Sequence, residues 1–490
     1  MAGTNTIEAA LAETLPLLPE ERSWSFRDML AVKGGLSIAT WGFMFGGATG
    51  QLVGFADGFI AMFFGTSVGL GILFFALLLP VYRTGSESFV FMRSAFGPGG
   101  TSLLAVMLVM SVVPFNSAIL SMMAGDATRE VLIGFDLVAG EPVWPVAQGT
   151  AFGVLALGCL FAARGSDTLR RFNLLVVPLL VLLSGGLLVA VFWHGGWQAV
   201  LSAQPPASPF DRETRLMLAV ELNIVAALSW FGLAGNLMRY GRNARGAAWG
   251  TWIGLVPLSL LPALAGLASS LVLGSSDPVQ WMTPLVGPAI GLAMLLVLIF
   301  ANLSSLIGML QGNVPTIVQN FGPLARANGF AGNVAMLGLA AALILLLASD
   351  ALYARFYTVV AFYGAIFAPT AGILLADWLV LRRGSVDLVA LHRPVPGSAY
   401  GFVAGFNPAA MVALLAGFGA YLALLEPVGQ TPAGGFRHLS ATLPSIAVGF
   451  AVHLALSRLI TIPLGLGGYR RGESMAGRPA ARPALHESET

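Results

Sequence analysis

Long apolar runs separated by short polar segments dominate this chain. A membrane-spanning helix needs about 20 mostly apolar residues, and runs of that length recur along the sequence between clusters of Gly, Pro and Arg. The pattern predicts an all-α polytopic membrane protein with twelve transmembrane helices. We place them near residues 27–51, 55–81, 99–124, 146–163, 172–194, 214–238, 247–274, 283–310, 330–349, 355–380, 404–425 and 441–464.

The arginines provide a test of this count. With the N-terminus inside, 19 arginines fall in inner segments and 5 in outer segments. Cytoplasmic loops carry an excess of Lys and Arg, so the distribution predicts that both termini are cytoplasmic. Adding or removing one span would destroy the alternation of Arg-rich inner segments with Arg-poor outer segments.

Composition excludes several classes of function. Only 10% of the 490 residues are charged, against about 25% in soluble domains. The net charge of +2 gives no reason to expect nucleic-acid binding. Cys159 is the single cysteine, so no intrachain disulfide can form.

Enzyme signatures are absent from the sequence. The five histidines are scattered, and no HExxH, GxSxG or phosphate-binding loop occurs. We expect neither an enzyme nor a cofactor. Without an ATP site, work must come from an ion gradient or from diffusion, which indicates a channel or a secondary transporter.

Spans 1 and 6 contain glycines beside polar residues. Transporters bind substrate at mid-membrane, where helices in matching positions of two repeats are interrupted. If spans 1–5 and 6–10 are inverted repeats, "KGGLSIATWGFMFGGATG" and "LSWFGLAGNLMRYG" are the matching segments. Candidate substrate-site residues are Gly35, Ser37, Gly232, Gly235 and Asn236. The alternative is that these glycines serve close helix packing.

Three further side chains are candidates for substrate binding. Asn116 follows Phe115 in span 3, and its buried amide needs a partner, either a heterocycle edge or a neighbouring helix. Trp230 in span 6 offers a flat face for a planar ligand. The alternative is ordinary tryptophan packing.

Span 8 carries a candidate cation site. Ala301, Ser304 and Ser305 are spaced i, i+3 and i+4, so they share one helix face. Two adjacent hydroxyls there would suit a small hard cation. The alternative is that both serines bond back to their own helix.

Three longer motifs resemble a known family. They are "RSWSFRDMLAVKGGLSIATW", "TGSESFVFMRSAFGPGG" and "APTAGILLADWLVLRRG". Together they resemble the nucleobase–cation symporter family, the group of purine–cytosine, allantoin and hydantoin permeases, over roughly residues 20–460. The resemblance implies a LeuT-type 5+5 inverted repeat. It assigns a ten-helix transport core to 27–380 and two additional helices to 381–464. The composition of the ends predicts a cytoplasmic tail at 1–26, which has no signal-peptide pattern, and a disordered, polar and Pro-rich tail at 465–490.

The resemblance also implies roles for individual residues. Trp230 would stack on the ligand ring, and Asn116 is the nearest match to a ligand-binding amide. Ala301, Ser304 and Ser305 match the span 8 cation pattern. The backbone carbonyls of Lys33 and Leu36 would complete that cation site.

The chain departs from the family at the substrate site. The expected span 3 tryptophan is replaced by Val112, for which Phe115 is the substitute. The expected span 8 asparagines are replaced by Leu306 and Leu310, with Gln311 next to the second.

Lys33, the only lysine, lies inside an apolar span. One hypothesis is that its ammonium occupies or adjoins the sodium position and faces Ser304 and Ser305. If this lysine releases and regains its proton, transport would be coupled to protons instead of sodium. A second is that the side chain snorkels to the cytoplasmic face near Arg27. A third is a packing role.

The sequence therefore predicts an importer of a nucleobase or related heterocycle, coupled to H⁺ or Na⁺, in the lipid bilayer of a plasma membrane, with that small heterocycle as its partner. The cytosine, purine, hydantoin, allantoin and vitamin classes stay open, as does the oligomeric state. The alternatives are a LeuT-type carrier or uniporter for another solute and, less favoured, a membrane enzyme or receptor.

Overall fold

A computed structural model describes residues 15–138, 143–275, 277–393 and 398–469. Helices lie at each of the twelve predicted positions. They are α1a (Phe26–Ser37), α1b (Thr40–Gly50), α2 (Phe55–Thr84), α3 (Ser88–Gly134), α4 (Val143–Ala162), α5 (Ser166–Gly195), α6a (Arg212–Leu228), α6b (Leu233–Met238), α7 (Ala244–Leu273), α8 (Pro288–Asn320), α9 (Gly329–Ala348), α10 (Arg355–Leu381), α11 (Pro408–Leu422) and α12 (Thr442–Thr461).

Eight of these helices are long and apolar enough to cross a membrane, namely α2, α3, α5, α7, α8, α9, α10 and α12. Shorter apolar helices cover Val146–Ala162 within α4 and the whole of α11. Connecting segments contain the short helices Pro19–Glu21, Trp197–Ser202, Pro278–Val286, Pro323–Ala327, Leu388–His392 and Phe436–Leu439. Strands β1 (Leu425–Glu426) and β2 (Thr431–Pro432) pair antiparallel. Residues 1–14 and 470–490 of the two predicted tails lie outside the described residues.

Polar side chains cap the helices where the apolar runs begin. In α1a, Ser25 and Asp28 form a reciprocal capping box. The Glu87 carboxylate accepts from the backbone N–H groups of Phe89 and Val90 at the start of α3, each at 2.9 Å. Asp211 caps α6a in the same way through Thr214 N–H. These caps satisfy backbone donors that a helix N-terminus leaves unpaired.

The packing of the first and sixth helices follows an inverted repeat. The two halves of α1 lie along α7, and α6a lies along α2. Exchanging helices 1 and 2 with helices 6 and 7 converts one pairing into the other, as a five-plus-five repeat requires. Both α1 and α6 are interrupted, and the two interruptions lie in the interior of the helix bundle.

The interruption of α1 is not at its glycines. Gly34 and Gly35 are helical, and the break falls at Ile38, whose backbone is nonhelical, and Ala39, whose backbone is extended. Gly35 is instead a close-packing position, since a β-carbon there would collide with the Asn173 side chain. In α6 a glycine does carry the break: Gly232 has φ +84°, a conformation that side chains disfavour.

Candidate functional site

A cavity lies where the breaks of α1 and α6 face α3 and α10. The nonhelical backbone leaves room between the half-helices, and residues of α1, α2, α3, α6, α7, α8 and α10 enclose it. Its volume is about 80 Å³. The residues lining it are Ser37, Trp41, Gly42, Phe45, Thr66, Asn116, Asn223, Ala226, Ala227, Ser229, Trp230, Leu255, Ser259, Leu260, Ala263, Met309, Phe356, Val360 and Tyr363.

Two tryptophans form adjoining walls of this central cavity. The rings of Trp41 on α1b and Trp230 at the α6 break lie 5.9 Å apart between centroids, with an interplanar angle of 89°. This edge-to-face arrangement is favourable for aromatic pairs and fixes both rings. Both rings line the cavity, which therefore has two aromatic walls whose ring planes are perpendicular.

Polar groups are placed between these walls. The Tyr363 hydroxyl donates to the Asn116 carbonyl oxygen at 3.5 Å, which joins α10 to α3. Ser37 donates to the carbonyls of Gly34 and Gly254, so its oxygen remains an acceptor. Asn223 is anchored through its amide nitrogen to Thr49. The cavity thus offers a few oriented hydrogen-bonding groups on an apolar lining, as small-molecule sites do.

Of the predicted substrate-site residues, Ser37, Asn116 and Trp230 line the central cavity. Phe115 is half-buried in the main hydrophobic core instead. Gly35 and Gly235 pack against polar side chains, Asn173 and Ser88 respectively.

Asn236 and Gln311 are engaged elsewhere. The Asn236 amide bonds Ser88 N–H, the Gly312 carbonyl and the Thr316 hydroxyl. The Gln311 amide lies against Gly165 and Ser166, at the connection between α4 and α5. Neither is among the described residues that line the central cavity.

Trp41, Asn223 and Tyr363 line the cavity although the sequence did not single them out. Asn223 is an isolated amide in an apolar span, the same signal that identified Asn116. Trp41 and Tyr363 had no such signal, because aromatic residues in spans are common. Only the three-dimensional arrangement brings them to the cavity.

The predicted cation residues are buried where α1a meets α8, but Lys33 does not face the serines. Its ammonium donates to the Ala234 carbonyl of α6b at 2.8 Å. Its side chain is 0% exposed, so it does not snorkel to the cytoplasmic face either. The backbone of α1a aims the long side chain across the bundle toward the α6 break.

The hydroxyls of Ser304 and Ser305 have other partners. Ser304 donates to the Asn173 oxygen on α5 at 2.6 Å. Ser305 donates to the Leu36 carbonyl at 3.0 Å and to the Gly35 carbonyl at 3.3 Å. Ala301 is buried on the same helix face. The interface between α1a and α8 is therefore bridged by hydrogen bonds of the protein itself.

A second cavity adjoins the central one toward the predicted outer end. Its volume is about 350 Å³, and α1b, α6a, α10, α11 and the hairpin β1–β2 enclose it. Val360 lines both cavities. Beside it, the Tyr357 hydroxyl donates to the Met44 carbonyl at 2.8 Å. This outer cavity leads toward the central cavity past one side chain of α10.

The predicted cytoplasmic end is closed by a buried polar network. Asn236 of α6b connects to Ser88 of α3 and Thr316 of α8. The Thr316 hydroxyl donates to the Glu87 carboxylate at 2.7 Å. Ser88 donates to the Gly232 carbonyl at the α6 break. These bonds join α6b to the two helices it must leave if the cavity is to open inward.

Comparison with known sequences gives the family. Residues 16–442 match the family described as permease for cytosine/purines, uracil, thiamine, allantoin. The chain belongs to this permease family. Its members are transporters rather than enzymes, and they are multi-pass membrane proteins.

Individual relatives are distant. A cytosine permease of Escherichia coli K12 is 25% identical over 421 residues, which cover 83% of this chain and 92% of that protein. A hydantoin permease of Microbacterium maritypicum is 25% identical over 68% of each chain. A purine-uracil permease of Arabidopsis thaliana is 28% identical over 304 residues, but the match spans only 47% of the plant protein.

Solved structures share the fold. Mhp1, a nucleobase-cation-symport-1 family transporter with bromovinylhydantoin bound in a closed conformation, superposes with a TM-score of 0.75 at 18% identity, covering 92% of this chain and 96% of Mhp1. A Na⁺-coupled sialic acid symporter gives a TM-score of 0.64 at 10% identity, over 93% of this chain and 94% of the symporter. The predicted LeuT-type architecture is therefore confirmed.

Proposed function

We propose that this protein imports a nucleobase or a related planar heterocycle across the cytoplasmic membrane by alternating access. The substrate binds in the central cavity between the breaks of α1 and α6. Uptake is driven by a gradient of protons or sodium ions. Both termini face the cytoplasm, and in a bacterium the membrane is the inner membrane.

The perpendicular pair of Trp41 and Trp230 is the observation that carries this proposal. A planar heterocycle laid on the Trp230 face gains about 1–3 kcal/mol from stacking. Its edge then meets Trp41 and the polar groups of Asn116 and Tyr363. A ring with hydrogen-bonding atoms on its edge satisfies the flat walls and the polar groups together.

The size of the cavity limits the class of ligand. One water needs about 10–15 Å³, so the central cavity of about 80 Å³ has room for several waters. A free base of one or two rings replaces that number of waters. We therefore propose free bases and base-like rings, rather than nucleosides, as substrates.

Quenching of tryptophan fluorescence tests this assignment directly. Titrating the purified protein with cytosine, uracil, adenine, hydantoin, allantoin and thiamine is expected to quench Trp41 and Trp230 saturably for at least one free base or hydantoin. The comparison variant is Trp230→Phe, which removes the fluorescence of Trp230 and is expected to weaken ligand binding. Saturable quenching by nucleosides but not by bases would contradict the proposed substrate class.

A carrier for a less polar planar solute is the second candidate. Its support is that hydrophobic side chains, Leu306 and Leu310, stand where the family resemblance expects amides, and that Met309 lines the cavity. Adding a less polar planar ring such as indole to the same titration separates the two candidates, because that ring would then bind more tightly than cytosine.

A further inference from the structure

The oxygens expected to hold a sodium ion are hydrogen-bonded to one another. The Ser305 hydroxyl donates to the Leu36 carbonyl at 3.0 Å, and both oxygens belong to the cation position predicted from the sequence. The hydroxyl proton of Ser305 therefore lies between two of the oxygens predicted to hold the ion. The structure satisfies this carbonyl without a cation.

Asn173 of α5 occupies the same region. Its amide nitrogen donates to the Leu169 carbonyl of its own helix at 2.9 Å, which holds the amide oxygen toward α8. That oxygen accepts from Ser304 at 2.6 Å and lies against the α-carbon of Gly35. Asn173 is 0% exposed, and it bridges α5 to the contact between α1a and α8.

Lys33 places an amine, which is a cation when protonated, in this part of the interior. Its ammonium is bonded to the Ala234 carbonyl, and no carboxylate pairs with it among the residues that the structure describes. Lys33 and the Gly35–Leu36 carbonyls belong to the same helix, α1a. A second cation beside these carbonyls would be repelled by the ammonium, because charges interact strongly in a low-dielectric interior.

The donor set therefore does not fit a bound sodium ion. We propose that Lys33 and Asn173 replace the ion: the ammonium ties α1a to α6b, and the asparagine ties α1a and α8 to α5. Substrate binding by this carrier is then independent of sodium. The inference rests on the proposed function for its substrate, but the sodium-independence of the fold can be measured without one.

The first experiment needs no substrate. Melting of the purified full-length protein is followed in 150 mM NaCl and in 150 mM choline chloride at equal pH. An ion that binds only the folded state raises the melting temperature as its concentration increases. We expect the same melting temperature in both salts. A saturable stabilisation specific to sodium would overturn the inference, whatever the substrate is.

The second experiment uses labelled cytosine or hydantoin, whichever binds. The dissociation constant in sodium is expected to be within two-fold of that in choline. A ten-fold or greater tightening by sodium would overturn the inference while leaving the proposed function intact. Absence of binding by every heterocycle in both salts would instead count against the proposed function, and the melting experiment would then decide the sodium question alone.

Lys33→Met tests the replacement itself, because methionine keeps an apolar stem and removes the ammonium. We expect ligand binding at least ten-fold weaker than in the unmodified protein, in sodium and in choline alike, because the tie between α1a and α6b is lost. Arg27→Met, an exposed cation in the same helix, is the matched control and should stay within two-fold. Binding by Lys33→Met equal to that of the unmodified protein would overturn the role of Lys33.

Discussion

The two ends of the helix bundle are closed by different means. At the predicted cytoplasmic end, α3, α6b and α8 are joined by buried hydrogen bonds through Glu87, Ser88, Asn236 and Thr316. At the predicted outer end, a cavity of about 350 Å³ separates α1b from α10, and the Tyr357 hydroxyl bridges them nearby.

This difference indicates which way the protein is ready to open. Each buried hydrogen bond contributes about 0.5–1.5 kcal/mol net, and leaving a buried partner unpaired costs more. Inward opening must break several such bonds together. Opening at the other end must break the Tyr357 bond and separate the Phe45 ring from Phe356 and Tyr357. The end predicted to be cytoplasmic is therefore held by the larger set of buried hydrogen bonds.

Removing Glu87 should reverse this asymmetry most strongly. Glu87→Ala leaves two backbone N–H groups and the Thr316 hydroxyl without their acceptor, so we expect the inward-open population to rise at least ten-fold and uptake to fall. The inward-open population is measured by placing a cysteine in the central cavity and following its labelling by a thiol reagent added from the cytoplasmic side. Glu87→Gln, which keeps one acceptor, should give a smaller change.

Glu426→Ala is the matched control for Glu87. Glu426 also accepts from two backbone N–H groups, at 2.7 and 2.6 Å, but at an exposed position in the hairpin β1–β2. Glu426→Ala should leave the labelling of the central cavity from the cytoplasmic side within two-fold of that in the unmodified protein. Equal effects of the two substitutions would mean that the inner network does not hold the cavity shut.

Trp230→Ala should have the next largest effect, and it acts on the cavity between the two ends. Loss of a stacking surface worth about 1–3 kcal/mol predicts roughly 5- to 150-fold weaker ligand binding, with Trp230→Phe intermediate. Equilibrium binding of labelled ligand measures this. Trp249→Ala, which alters an exposed tryptophan, should bind as the unmodified protein does; a similar loss there would show that the effect is not local.

Tyr357→Phe sharpens the comparison from the outer side. It removes one hydrogen bond to the Met44 carbonyl, worth about 0.5–1.5 kcal/mol, and keeps the ring. We expect accessibility of the central cavity from outside to rise by roughly 2- to 10-fold. Unchanged accessibility would show that this bond does not restrain α10.

Asp277, which follows α7, is expected to make the stability of the protein depend slightly on pH. Burial, with Asp126 and Glu130 nearby, raises its pKa from 3.8 to about 6. The folded protein therefore takes up a proton that the unfolded chain does not as the pH falls from 6 toward 3.8, and stability increases over that range. Above pH 6 the folded state bears the cost of the buried charge.

Asp277→Asn should remove this dependence and raise the melting temperature at pH 7.5 by about 2 °C, the shift that ~1 kcal/mol gives in a large domain.

At Asp211 the same substitution should change the stability in the opposite direction. The hydrogen bond from Thr214 lowers the pKa of its carboxyl, so Asp211→Asn should slightly destabilise at pH 7.5. Melting curves between pH 5 and 7.5 distinguish the two.

Much of the architecture could be read from the sequence, because apolar length and arginine placement determine where helices cross a bilayer. The position of a break within a helix was harder. Glycine permits a break, as at Gly232, but it also permits close approach, as at Gly35 beside Asn173. Which of the two applies depends on a residue more than a hundred positions away.

The site was predictable in part for the same reason. Asn116 and Trp230 carry a local signal, a polar or large aromatic residue in an apolar span, and they line the cavity. No local sequence signal predicts the direction of the Lys33 side chain, since it depends on how α1a is rotated against α6b. Asn173 likewise becomes informative only when Ser304 is seen beside it.

The most direct test of the whole account is uptake of labelled cytosine or hydantoin into proteoliposomes, with Trp230→Ala and Trp249→Ala reconstituted in parallel. The account predicts saturable uptake by the unmodified protein and by Trp249→Ala, competed by other free bases, and its loss in Trp230→Ala. Folded, reconstituted protein that takes up no base or hydantoin, or Trp230→Ala that transports as well as the unmodified protein, would contradict it.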